Sequence, residues 1–208
     1  ATAWQVRGGA DMDGDGVADL IWQLPTGQVA CWLMNLNGTL KSGVSVSAVA
    51  STWQVRGAGD LDGDGTPDLF WQLPTGRVTC WLMNADGTRK SGVSIFTGAT
   101  TWLIRAATDM DGDGICDIVW QLPTGQVACW LMNPNGTLKS GLSIYAGVSA
   151  WQVKGAADID GDGTPDLVWQ LPSSGRVVCW FMHADGSCKG TGNIYTGATS
   201  WIVRGASE

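Results

Sequence analysis

A chain of 208 residues with a formal charge of −7 carries 19 acidic side chains against 12 Lys and Arg. That acidic balance argues against a protein that tracks nucleic-acid phosphates, and no apolar run approaches the ~20 residues of a membrane-spanning helix. The length is enough for a sizeable core. The chain starts at Ala1 without Met, as a processed secreted protein would, so a soluble, extracellular protein is expected.

Trp4-Gln5-Val6-Arg7 opens the pattern with the apolar–polar alternation of a strand. An acidic, glycine-rich loop follows from Asp11 to Asp19. A second strand, Leu20 to Leu24, is turned by Pro25-Thr26-Gly27 into a third, Val29 to Met34. Asn37-Gly38 then reads as a type I′ hairpin turn, with Asp86-Gly87, Asn135-Gly136 and Asp185-Gly186 at the same place in later copies. A last strand around Val44-Ser45-Val46 leads to the next Trp. No window has helical periodicity.

Trp4, Trp53, Trp102, Trp151 and Trp201 mark the restart of this pattern, spaced 49, 49, 49 and 50 residues apart, the extra residue falling in the turn Pro172-Ser173-Ser174-Gly175. A period near 50 signals a propeller, solenoid or array. Four antiparallel strands per period are propeller blades. The expected fold is all-β, a β-propeller of four four-stranded blades forming a single domain over 1–208. Its repeats are 4–52, 53–101, 102–150 and 151–200, with an extra closing strand at 201–205. Half of an eight-bladed dimer, or an open repeat array, is the alternative.

The four acidic loops share the form D-x-D-G-D-G-x-x-D and hold 16 of the 19 acids. Carboxylates packed this densely repel one another unless a hard cation lies between them. Ca²⁺, which takes six to eight oxygens, suits alternate carboxylates on a Gly-bent loop. The expected side-chain ligands are Asp11, Asp13, Asp15 and Asp19, then Asp60, Asp62, Asp64 and Asp68. Asp109, Asp111, Asp113 and Asp117, and Asp158, Asp160, Asp162 and Asp166, complete the set. The seventh position (Val17, Thr66, Ile115, Thr164) has no common side-chain oxygen, so a backbone carbonyl is expected there. Four Ca²⁺, one per repeat, would take the formal charge from −7 to +1. The loop is not an EF-hand, because its twelfth residue is Trp22, Trp71, Trp120 or Trp169 instead of Glu. Ordinary Asx turns without metal are the plainer alternative.

D-x-D-G-D-G-x-x-D between the first two strands of a blade resembles the FG-GAP/VCBS repeat of integrin α-subunit propellers, bacterial secreted proteins and a fungal propeller lectin. The run from Asp19-Leu20-Ile21-Trp22-Gln23 to Trp32-Leu33-Met34-Asn35 is similar to the Trp-rich bacterial version. The resemblance implies a calcium-stabilised β-propeller, each ion in the loop joining first and second strands. It leaves the ligand open, since such propellers serve adhesion, sugar binding and scaffolding alike. Two departures stand out: better-known relatives have seven blades, and Trp201-Ile202-Val203-Arg204 repeats the first strand without a complete blade.

Most of the 13 Trp are expected as core wedged between blades. Phe96, Tyr145 and Tyr195, with Ser47 at the same position, neighbour Ile95, Ile144, Ile194 and Val46, and one member of each pair is expected to face outward as ligand platform or subunit interface. Cys31, Cys80, Cys129 and Cys179 recur at one strand position, as small buried residues do. Cys116 and Cys188 occur once each; two free thiols is the plainer reading, a disulfide between blades 3 and 4 the sharper. His183, the sole His, stands where other repeats have Asn. Arg7, Arg56, Arg105, Lys154 and Arg204 precede the loops and are expected to balance the Asp clusters. Asn37 and Asn135 begin N-glycosylation sequons, although the turn itself calls for Asn-Gly.

With only Asp86, Asp185 and Glu208 outside the loops, a two-carboxylate hydrolase has no acids to use. The expectation is therefore a non-catalytic, calcium-stabilised extracellular binding module that takes carbohydrate or glycoprotein. The alternative is a structural or adhesive repeat protein that self-associates through its terminal strand.

Overall fold

The computed structural model describes residues 3–48, 51–198 and 200–203. Blade 1 comprises β1 (Gln5–Ala10), β2 (Asp19–Gln23), β3 (Val29–Met34) and β4 (Leu40–Ser47). Blade 2 comprises β5 (Gln54–Gly59), β6 (Asp68–Gln72), β7 (Val78–Met83) and β8 (Arg89–Phe96). Blade 3 follows with β9 (Leu103–Thr108), β10 (Asp117–Gln121), β11 (Val127–Met132) and β12 (Leu138–Tyr145). Blade 4 has β13 (Gln152–Ala157), β14 (Asp166–Gln170), β15 (Val177–Met182) and β16 (Cys188–Tyr195). Each blade is an up-and-down antiparallel sheet, and the four are arranged as a β-propeller. The first strands are innermost: β5 packs against β1 and β9, and β9 against β5 and β13. No helix among the described residues is long and apolar enough to cross a membrane.

The first strand runs further than its alternation suggests because it contains a bulge. Val6 pairs with Trp22 and Gly8 with Ile21, leaving Arg7 as the extra residue, and Arg56, Arg105 and Lys154 are skipped in the same way. A bulge interrupts the period of two that exposed the strand in the sequence.

The hairpin turns are not of type I′, since no described residue other than Gly has positive φ. Asn35 N donates to Thr39 O at 2.8 Å and Gly38 N to Asn35 O at 2.8 Å, with φ of 78° at Gly38. This is a type I turn closed by a glycine bulge, in which only the last loop residue must be left-handed. Pro25-Thr26-Gly27 builds the same turn, and there Gly is doubly required. Its φ is 100°, and a Cβ would stand 2.2 Å from Ser51 O.

The core lies between blades. Ile21, Cys31 and Leu33 of blade 1 meet Val55, Leu69, Trp71 and Met83 of blade 2. Phe70, Cys80 and Leu82 meet Ile104, Ile118, Trp120 and Met132 in the next seam. Val119, Cys129 and Leu131 meet Val153, Leu167, Trp169 and Met182 in the third. Among the described residues no such cluster joins blade 4 to blade 1.

Each seam is also pinned by one buried Gln. Gln23 Nε2 donates to Trp53 O at 2.8 Å, and Val55 N donates to Gln23 Oε1 at 3.2 Å. Gln72 holds Trp102 and Ile104 in this way, and Gln121 holds Trp151 and Val153. The fourth, Gln170, holds Trp201 O at 2.8 Å and Val203 N at 3.2 Å. Residues 201–203 thus occupy the place that the next blade's inner strand takes elsewhere. The remainder of the expected closing strand lies outside the described residues.

Candidate functional site

The four loops join the first and second strands of their blades, and the first carboxylate in each folds its loop. Asp60 Oδ1 accepts from Gly63 N and Asp64 N, and its Oδ2 from Gly65 N at 2.7 Å. Asp109 and Asp158 repeat these bonds, and Asp11 accepts from Asp15 N and Gly16 N. Two positive-φ glycines per loop, Gly63 and Gly65 in blade 2, permit the curl. The ninth-position Asp is anchored from the sheet. Asp68 Oδ2 accepts from Leu61 N at 3.0 Å and its Oδ1 from Met83 N at 2.9 Å. Asp19, Asp117 and Asp166 do the same with Met12 and Met34, Met110 and Met132, and Ile159 and Met182.

This arrangement gathers three carboxylates per blade with ligand atoms within 4.8 Å of one another. They are Asp60, Asp62 and Asp68; Asp109, Asp111 and Asp117; and Asp158, Asp160 and Asp166. In blade 1 they are Asp11, Asp13 and Asp15. The donor set fits a hard cation, and one observation says so independently of spacing. Asp13, Asp62 and Asp111 each keep Oδ1 buried without any hydrogen-bond partner, a costly state unless a ligand supplies the missing charge. Burial pushes the Asp68 carboxyl up to about 6 and that of Asp117 to about 7, against the pull of two backbone donors each, with neighbouring acids adding to the rise. A bound divalent ion would supply the positive charge that keeps these groups ionised.

The fifth-position acids divide: Asp15 belongs to its blade's cluster, whereas Asp64, Asp113 and Asp162 lie outside theirs. Asp15, Asp64, Asp113 and Asp162 accept the N–H of Val17, Thr66, Ile115 and Thr164, and their other oxygens take a lysine. Lys41 Nζ lies 2.7 Å from Asp13 Oδ2 and 2.6 Å from Asp15 Oδ2. Lys139 lies 2.7 and 2.5 Å from Asp111 and Asp113. Lys90 bridges Asp62 and Asp64, and Lys189 bridges Asp160 and Asp162. The signal was present in the sequence, one Lys at the second residue of every fourth strand, and the reading of charge missed it. Arg56 and Arg105 are not the partners expected for the Asp clusters. They sit half-buried on inner strands, where desolvation and, for Arg56, the charges of Arg7 and Arg105 disfavour the cation.

The aromatic pairs also differ from a simple in–out alternation. Val127 pairs with Tyr145 but Ala128 with Ser143, so Ile144 is a bulge residue. Both Ile144 and Tyr145 therefore pack into the seam. Tyr145 meets Trp180 edge-on at 5.9 Å, and Phe96 meets Trp130 at 6.0 Å. They form walls of clefts at the outer ends of the seams. One cleft, of about 350 Å³, is lined by Tyr145, Trp151, Trp169, Trp180 and Asn193. The equivalent cleft, about 230 Å³, is lined by Phe96, Thr100, Trp102, Trp120 and Trp130. The indole N–H groups of Trp120 and Trp169 are buried without an acceptor. Tyr195 lines a third cleft with Gln170 and Trp201.

Cys116 and Cys188 are both free. Cys116 faces blade 2, behind Gly59, where a Cβ would stand 2.4 Å from its Sγ, whereas Cys188 is exposed on blade 4. This is the plainer of the two readings; a bridge between blades 3 and 4 fails because the acidic loop presents Cys116 to the preceding blade, not the following one. Burial pushes the Cys31 thiol up to about 12, as suits an inert core residue. Asn37 and Asn135 are exposed, and their Oδ1 atoms accept from the N–H and hydroxyl of Thr39 and Thr137. Asp86 makes the same bonds to Thr88, so the turn alone accounts for these residues. His183 occupies the Asn35 position of its turn.

Comparison with known proteins follows the same repeat. A structure from Bacteroides caccae, described as a protein of unknown function, is similar over 93% of this chain and 62% of its own, with a TM-score of 0.52 and 15% identity. The V. cholerae biofilm matrix protein Bap1 matches 93% of this chain and 39% of its own, at 20% identity and a TM-score of 0.34. The chain therefore spans less than two thirds of either. No curated protein matches it. The family model described as FG-GAP-like repeat matches residues 11–71, 60–120 and 109–169, each match running from one acidic loop to the second strand of the next blade. The chain belongs to the FG-GAP-like repeat family.

Proposed function

We propose that this propeller is an extracellular, calcium-stabilised binding module whose clefts between blades take carbohydrate. The observation that carries the reading is the repeated cleft: an edge-on Phe or Tyr, three Trp and, on one of them, a buried indole N–H without an acceptor. Aromatic faces suit the apolar C–H surfaces of sugar rings, and a stranded donor suits a hydroxyl. Repetition of one weak site on successive blades favours multivalent ligands, where linked sites gain 10²–10⁴ in avidity. Calcium is the ion of choice for the loops because every donor is an oxygen and the ligand set is irregular. Its role is structural, since it ties each loop to its sheet while the clefts lie elsewhere in the seam. Among the described residues the acids outside the loops, Asp86 and Asp185, accept hydrogen bonds within their own turns, which favours a non-enzymatic module. A glycan array probed with the calcium-loaded protein tests the reading. Binding that falls on replacing Phe96 and Tyr145 with Ala supports it; no binding to any glycan defeats it.

A further inference from the structure

Six apolar side chains on the back of each of blades 2–4 are sealed by the blade before. In blade 2 they are Trp53, Val55, Leu69, Trp71, Trp81 and Met83, packed against blade 1. Blade 1 carries the identical set at the same positions, Trp4, Val6, Leu20, Trp22, Trp32 and Met34, and none of them is buried. Trp4, Val6 and Trp32 are 44%, 39% and 40% exposed, against 2% for Val55. The outer end of the opposite face of blade 4 is open too, with Ile194 and Tyr195 53% and 45% exposed, while Val168 and Cys179 further in are buried. A contiguous apolar face of this kind marks an interaction surface.

The chain's own seams define what fits it. At three seams the front of one blade covers the back of the next, and its Gln clamps a Trp carbonyl and the N–H two residues on. The front of blade 4 and the back of blade 1 are the two halves of a fourth such seam, and among the described residues no apolar cluster joins them. Instead Gln170 holds Trp201 O and Val203 N, where Trp4 O and Val6 N of an incoming blade would sit. We propose that the back of blade 1 docks on the front of blade 4 of a second copy of the chain, and that residues 201–203 are an internal strap occupying that dock. Because front and back differ, the contact is head-to-tail and closes only if the rotation returns to its start. Two copies give eight blades, within the range of roughly four to eight in which propellers close. The exposed parts of Trp4, Val6 and Trp32 on one side, and of Ile194 and Tyr195 on the other, are the apolar area that this contact would bury. In one chain the strap wins, since a tethered segment acts at an effective concentration on the order of millimolar.

Sedimentation equilibrium in calcium tests this. The intact chain is expected to be monomeric at about 10 µM, well below the strap's effective concentration. Deleting residues 200–208 should yield a closed dimer. The milder Val203→Pro, which removes the strap's N–H donor to Gln170 and restricts its backbone, should shift the equilibrium the same way. Adding Val6→Asp, a charge on a face exposed in the free chain, should weaken that dimer at least about thirtyfold while leaving melting and calcium content unchanged. Released variants that remain monomeric, including any whose blade 4 closes on its own blade 1, would overturn the proposal. A dimer indifferent to Val6→Asp would overturn it as well. None of these outcomes depends on carbohydrate.

Discussion

Lys90 on β8 places its Nζ 2.9 Å from Asp62 Oδ2 and 2.7 Å from Asp64 Oδ2, so a cation from the blade itself already stands on two of the acids of the second loop. Lys41, Lys139 and Lys189 do the same in the other blades. The ammonium and a divalent ion compete for the same carboxylates.

Lys90→Met should therefore tighten calcium binding at the second loop by about threefold to tenfold, the scale of one or two partly exposed ion pairs. In chelator the same variant should melt lower, since Asp62 and Asp64 lose the ammonium that bridges them. Isothermal titration and thermal melts read the two effects, and weaker calcium binding would contradict the competition.

The acids of one loop should not be equal. Asp68→Ala removes an acceptor of two backbone N–H groups as well as a member of the carboxylate cluster, and burial leaves those donors unsatisfied at about 1–3 kcal/mol each. Asp64→Ala removes an exposed side chain outside that cluster. The expected order is loss of one ion and clear destabilisation for Asp68→Ala, and weakened but detectable binding for Asp64→Ala. Ion stoichiometry and urea melts on the two variants provide the check.

The pH response should change sign with metal. Burial raises the carboxyl of Asp68 to about 6 and of Asp117 to about 7 from 3.8, and that of Asp19 in the same direction. Between the unfolded and folded values the metal-free folded state binds more protons, so stability falls as pH rises from about 4 to 7. With calcium bound, acid removes the ion and stability falls as pH drops. Melts from pH 5 to 8 with chelator and with calcium should slope in opposite directions.

Gln121→Ala leaves Trp151 O and Val153 N without the partners they have at 2.9 and 3.1 Å. About 2–4 kcal/mol of destabilisation is expected from two buried orphans, measured by urea denaturation. A change below about 0.5 kcal/mol, the size of an ordinary surface substitution, would remove the clamp from the account.

The blades were legible because their signals are local: β3 begins at Val29 and ends at Met34 as its composition indicates, and the acid register marked every loop. What stayed hidden needs contacts between blades or within bulges. Ile144 and Tyr145 share a side only because of a skipped residue. Gln23 looks like an ordinary polar strand residue until Trp53 and Val55 arrive from the next repeat. Arg56 was paired with the nearest acids in sequence, whereas the fold gives those acids to Lys90, 28 and 26 residues from Asp62 and Asp64. The turn type failed because the Gly, not the Asn, supplies the positive φ.

Four independent oxygen-donor loops, one per blade, are the centre of this account. Elemental analysis of the protein after loading with calcium and exhaustive dialysis tests it most directly. Close to four equivalents of calcium per chain is the predicted result, in line with four carboxylate clusters. One equivalent or none would contradict it.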